Sequence, residues 1–122
     1  MGFDNESWNV RDTHMMETLE RLMKFHGPAA KGIVWEHNTH IGDARATDMK
    51  RAGMINTGQL ARDTYGNGNV YMVGFGSSRD SVIAGEAWGA PMEVMEVPPA
   101  RDDSLENALH DIIAGNGYFI RS

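Results

Sequence analysis

Cysteine is absent from the 122 residues. That excludes a disulfide scaffold, a thiolate nucleophile and cysteine-based zinc or iron–sulfur sites. Basic residues are scarce: eleven Lys and Arg stand against seventeen Asp and Glu, for a net charge of −6 with His neutral. A general phosphate-backbone binder needs a dense basic face, so no nucleic-acid partner is expected. No apolar run approaches the roughly 18 residues of a membrane span, so no membrane partner is expected either. The first residues show no basic segment followed by an apolar stretch, and the expected compartment is the cytoplasm. No repeat and no low-complexity segment occurs. The length suits one domain over residues 1–122, which can bury roughly two-thirds of its extended surface.

Helix signals begin at Asn9, a possible N-cap, with Asp12 placed in the first turn where a negative charge suits the helix dipole. Met15, Met16, Leu19, Leu22 and Met23 form an apolar stripe, and Gly27-Pro28 stops the helix. Residues 31–37 read as a strand, with Ile33, Trp35 and His37 on one face and Val34 and Glu36 on the other. Residues 38–43 read as a loop. Residues 57–65 read as a short helix capped by Thr57, and residues 69–76 give the clearest strand signal. Further strands are expected over 80–85, 91–97 and 117–120, and a last helix over 104–114. Trp35 and Trp88 are expected in the core or a pocket wall. Helices alternating with strands predict an α/β fold, a small and mostly parallel sheet with flanking helices. The strand at the very end and the missing strand at the start make the chain read as part of something longer.

The densest chemistry lies in Trp35-Glu36-His37-Asn38-Thr39-His40-Ile41-Gly42-Asp43-Ala44-Arg45. It packs two imidazoles, two carboxylates and a guanidinium at the exit of a predicted strand, where ligands bind in open α/β sheets. Imidazole is the side chain suited to proton transfer near neutral pH. The alternative is a polar loop whose histidines bond to backbone. The order Glu-His-x-x-His departs from the helical zinc signature His-Glu-x-x-His, and no third ligand stands at diagnostic spacing, so no metal is expected. Gly74-Phe75-Gly76-Ser77-Ser78 misses the nucleophile elbow, because Gly76 occupies the serine position. Gly74-x-Gly76-x-x-Arg79 lacks the last glycine of a dinucleotide fingerprint. Arg11 is either a two-pronged donor to a bound anion or half of a surface ion pair.

Four segments stand out together: Asn9-Val10-Arg11-Asp12; Gly32 through Thr47 with its Trp35-Glu36-His37-Asn38-Thr39-His40 core; Gly58-Gln59-Leu60; and Val73-Gly74-Phe75. In order and spacing they resemble one family, the erythromycin esterases, some members of which are labelled succinoglycan-biosynthesis-like. The resemblance implies the C-terminal part of a larger α/β hydrolytic enzyme that opens a carboxylic ester or macrolactone with activated water, as in macrolide resistance. It implies no cofactor, and a small-molecule ester as partner. It assigns His37, His40 and Arg11 to one hollow, as groups that bind the carbonyl or its oxyanion, while the family's histidine base lies in a half that no segment here resembles. Many members carry a small residue where this chain has Glu36. The competing expectation is a catalytically inactive module from that family, self-associating as a homodimer to cover exposed apolar faces.

Overall fold

The computed structural model describes residues 5–87, 89–113, 115–118 and 120. Trp88, Phe119 and Ala114, which the sequence places in a core, a strand and a helix end, lie outside the described residues. The chain forms two compact units, Met1–Phe75 and Gly76–Ser122. Among the described residues, no helix is long and apolar enough to cross a membrane.

The first unit is built on α1, Asn5–His26, which starts before the expected Asn9. Trp8, Asp12, Met16, Leu19 and Met23 recur at three- and four-residue spacing and are its buried or half-buried face. Asp12 is therefore a helix-interior carboxylate set into the apolar stripe. α1 ends where Gly27 takes a φ of +89° and its N–H donates to the Met23 carbonyl at 3.0 Å. Only glycine turns there without strain, and Pro28 cannot continue the helix. The chain then runs back along α1, so that a Cβ on Gly32 would meet Met23 and Leu19.

Side chains from the start of α1 fasten the segment before the next long helix. Asn5 donates to the Ala52 carbonyl, Trp8 to that of Ile55 and Asn9 to that of Gly53, while the Asn9 amide oxygen accepts from Ile55 N–H at 2.9 Å. Asn9 is thus a clamp inside α1, not its cap. A single-turn helix α2, Asn38–Ile41, replaces the expected loop, and two 3-10 turns follow at Ala44–Ala46 and Asp48–Lys50. Helix α3 spans Thr57–Tyr65. Its N-cap is Asn56 rather than Thr57: the amide oxygen accepts from Gln59 N–H, and also from Ala44 N–H, while Nδ2 donates to the Thr39 carbonyl. Asn56 is 1% exposed, so one carboxamide joins three segments in the interior.

The expected mostly parallel sheet is not formed. Residues 31–37 and 69–76 carry strand-like sequence but no strand, and Ile33 and Trp35 are 93% and 86% exposed, so Trp35 is neither core nor wall. The alternation encodes which side chains share a face, but a ladder also needs a partner backbone. At the point where the two runs meet, the Asn38 carboxamide takes both Phe75 groups that a neighbouring strand would use: its oxygen accepts from Phe75 N–H at 3.1 Å, and its Nδ2 donates to the Phe75 carbonyl. Trp35 and Phe75 then lie with ring centroids 6.2 Å apart.

In the second unit, β1 (Asp80–Ala84) and β2 (Glu93–Val97) pair antiparallel, with Val82 opposite Met95. They are the one sheet among the described residues. Antiparallel pairing follows from the short connection, since a parallel neighbour needs a crossover of a dozen or more residues. Helix α4, Leu105–Ile112, follows, with the Ser104 hydroxyl accepting from Asn107 N–H. Residues 117, 118 and 120 form no strand. The fold is therefore helix-rich with a two-stranded hairpin rather than a parallel α/β sheet.

Candidate active site

The largest fully buried side chains are not apolar: they are Asn56 and Asp12. Burying a carboxylate is costly unless it is paired and hydrogen-bonded, and Asp12 is both. Its Oδ2 accepts from the Thr57 N–H at 3.0 Å, at the start of α3, where the helix dipole favours negative charge. The Thr57 hydroxyl stands 3.4 Å from the same oxygen. Both carboxylate oxygens lie about one hydrogen bond from His40 Nδ1, at 3.0 and 2.9 Å.

The other nitrogen of the ring meets Arg11, whose Nη2 lies 3.3 Å from His40 Nε2. A guanidinium can only donate, so Nε2 must present its lone pair and Nδ1 must carry the proton that Asp12 accepts. The two neighbours thereby select one neutral tautomer of His40. Trp8 forms the floor. It stacks on the His40 ring with centroids 4.5 Å apart and planes within 5°, and the Arg11 guanidinium sits 4.7 Å from its ring centroid. The indole face attracts the cation and fixes the imidazole plane. Arg11 Nε is 3.8 Å from Asp12 Oδ1, and the Arg11 side chain is 42% exposed while His40 is 15% exposed. The guanidinium can reach solvent, and the imidazole is largely enclosed.

Glu36 closes the group from the segment between α1 and α2. Burial pushes its pKa up; the neighbouring His40 and the Thr57 side chain pull it down, Asp12 raises it and Arg11 lowers it. Its Oε2 is buried without a hydrogen-bond partner.

The structure brings Arg11 and His40 together. His37 is exposed, and its ring does local work: Nδ1 accepts from Thr39 N–H at 3.3 Å and lies 3.1 Å from the Thr39 hydroxyl, capping α2. The depression that Arg11 lines is shared with Glu6, Ser7, Val10 and His14, and neither His37 nor His40 lines it. Among the described residues no three His, Asp or Glu side chains are grouped so as to hold a metal ion. Nearby, Arg45 grips Asp43 through Nε and Nη2 at 2.9 and 2.8 Å and reaches Asp63 at 2.7 Å; this pairing holds Asp43 at a pKa of about 2 and ties the 43–45 turn to α3. Its role is in the scaffold.

Sequence reasoning missed Trp8, Asp12, Asn56 and Thr57. One signal for Asp12 was present. With α1 started at Asn5 instead of Asn9, Trp8, Asp12 and Met16 fall on one face, and a carboxylate on that face demands partners. Placing Asp12 in a first turn was a consequence of the same late start.

A family model described as "Erythromycin esterase" matches residues 3–120. No solved structure matches the chain.

Proposed function

The chain belongs to the erythromycin esterase family, and from that premise we propose that it takes part in hydrolysis of a carboxylic ester or macrolactone by activated water, with His40 and Arg11 as the groups that meet the substrate. The observation that carries this reading is the Asp12–His40–Arg11 arrangement: a buried carboxylate on Nδ1, an unprotonated Nε2 and a donor cation beside it.

The tautomer divides the labour. Neutral His40 has no spare N–H for an oxyanion, because its one proton is given to Asp12. Its Nε2 lone pair suits it to accept a proton from water, and the buried Asp12 stabilises the imidazolium that forms, as an aspartate does for a histidine base in general. Arg11 is the available donor. Released from Nε2, it can turn its N–H groups to the carbonyl oxygen, where charge develops as water adds. Nε2 then returns the proton to the leaving alkoxide as the C–O bond breaks. This gives His40 the proton-accepting role and leaves the carbonyl to Arg11.

The test is hydrolysis of a chromogenic carboxylic ester and of a macrolide by the purified chain. His40→Ala is expected to lose about 10²–10⁴ in rate, the range for a removed general base, and Arg11→Ala about 10²–10³, the range for a lost oxyanion donor. His37→Ala is expected to stay near the parent; a loss equal to that of His40→Ala would return His37 to the chemistry. Parent activity equal to buffer on every ester would remove the reading for this chain. A second reading, a self-associating module without catalysis, is favoured by the exposed apolar side chains of Ile33, Trp35, Tyr71 and Phe75. Sedimentation velocity tests it: a monomer at every concentration removes it.

A further inference from the structure

Glu36 is the one titratable side chain of this group that the proposed chemistry leaves unused. It sits on the same face of the 31–37 run as Val34, turned from exposed Ile33, Trp35 and His37. The groups around it come from three elements: Arg11 and Asp12 from α1, His40 from α2 and Thr57 from α3. Two carboxyls, those of Glu36 and Asp12, flank one hydroxyl, that of Thr57. A hydroxyl has one proton to donate and can serve only one of them at a time. Asp12 already accepts from His40 Nδ1–H and Thr57 N–H, and its contact with the hydroxyl is long, at 3.4 Å. Glu36 Oε2 has no donor at all.

We propose that Glu36 is a positioning residue that sets the basicity of His40 through the Thr57 hydroxyl. As a carboxylate, Glu36 draws the hydroxyl proton to itself, leaves Asp12 to concentrate its charge on His40 Nδ1–H, and adds a negative charge beside the ring. Both effects favour the imidazolium and strengthen Nε2 as a base. As a neutral acid, Glu36 donates to the Thr57 oxygen, and the hydroxyl turns to Asp12. Asp12 then accepts three donors, its hold on His40 weakens, and the added charge is gone. Because burial disfavours the carboxylate form, the change between the two states falls at a higher pH than for an ordinary glutamate. The inference deepens the reading of His40 as base and rests on it.

The test follows the His40 ring carbon and proton chemical shifts by NMR as pH is varied, in the whole chain without any ester. In the parent, the His40 ring shifts are expected to show a minor step where Glu36 titrates, beside the ring's own main step. Glu36→Gln is expected to abolish the minor step and lower the main midpoint by about 0.5–1 pH unit, at or below the low end of what a nearby charge produces, since Glu36 is only half-buried. Glu36→Ala, a second way to remove the charge, must give the same curve. Thr57→Val keeps the N–H to Asp12 and is expected to shrink the minor step, and Thr57→Ser to restore it. Superimposable curves for the parent and both Glu36 variants, or an undiminished minor step in Thr57→Val, would overturn the proposal. The titration needs no turnover, so a silent esterase assay leaves it standing, and an unchanged titration leaves the esterase reading standing.

Discussion

Replacing Asp12 by Asn changes no more than one atom and one charge, yet the structure predicts a large effect. Oδ2 accepts from Thr57 N–H, both carboxylate oxygens face His40 Nδ1–H, and the group is fully buried. An amide offers one oxygen and one NH₂. If the oxygen takes the Oδ2 place it keeps Thr57 N–H, but the NH₂ then stands 3.0 Å from Nδ1, donor against donor, which drives the His40 proton to Nε2. That places N–H against the Arg11 N–H donors at 3.3 Å, and the Arg11 contact is lost. If the oxygen turns to His40, NH₂ opposes the Thr57 N–H at the start of α3. Either arrangement loses a hydrogen bond to a charged acceptor, worth about 1.5–3 kcal/mol, and strands one buried donor at about 1–3 kcal/mol. The expected loss is about 3–5 kcal/mol, a large part of the 5–15 kcal/mol of a typical domain. Urea unfolding followed by tryptophan fluorescence measures it, with Trp8 stacked on His40 as a local reporter. Long-range nitrogen–proton NMR reads the tautomer directly. A stability within about 0.5 kcal/mol of the parent, with His40 still protonated at Nδ1, would refute the donor and acceptor reasoning.

Three further outcomes follow from the scaffold. A Cβ on Gly58 would land on the Ile41 and Gly42 carbonyl oxygens, which are backbone and cannot swing aside; Gly58→Ala should cost at least about 1–3 kcal/mol by overpacking and displace His40, seen as a lower unfolding midpoint and a lost Trp8–His40 ring-current shift, whereas an unshifted midpoint would contradict it. Asn56→Ala removes the α3 cap and leaves Ala44 N–H and the Thr39 carbonyl without their partner, so a loss of about 2–4 kcal/mol is expected in the same unfolding assay, and one below about 1 kcal/mol would show that water replaces the amide. Asp43 titrates at about 2 in the fold against its ordinary 3.8, chiefly through its hydrogen bond to Arg45. A depressed carboxylate stabilises above its unfolded pKa, and that contribution is lost as pH falls through the folded one. Stability should therefore fall between about pH 4 and pH 2, and Arg45→Met should flatten that slope; equal slopes in the two proteins would argue against the pairing.

Several local features were legible in the sequence for nearest-neighbour reasons. Gly27-Pro28 ends α1 because a positive φ and a missing N–H act within one turn. The strands near 80–85 and 91–97 form close to where alternation and flanking turn residues put them. The His-Asn-x-His segment, placed in a likeness to the esterase family, belongs to a chain that the family model matches over residues 3–120. The runs 31–37 and 69–76 failed for the opposite reason. In the first, Ile33, Trp35 and His37 are exposed and Glu36 is half-buried, but Val34 on the Glu36 side is exposed too, and pairing depends on backbone partners that no local pattern contains.

The candidate site divides along the same line. Sequence alone determined which residue types are present: an arginine next to an aspartate, and two histidines three positions apart. Only the folded chain decided that Asp12 is buried, that it meets His40 across 28 residues and Thr57 across 45, and that Arg11 meets the ring nitrogen that Asp12 does not. Side-chain chemistry is written residue by residue, whereas the protonated nitrogen of a histidine is fixed by whichever donors and acceptors tertiary packing places against its two edges.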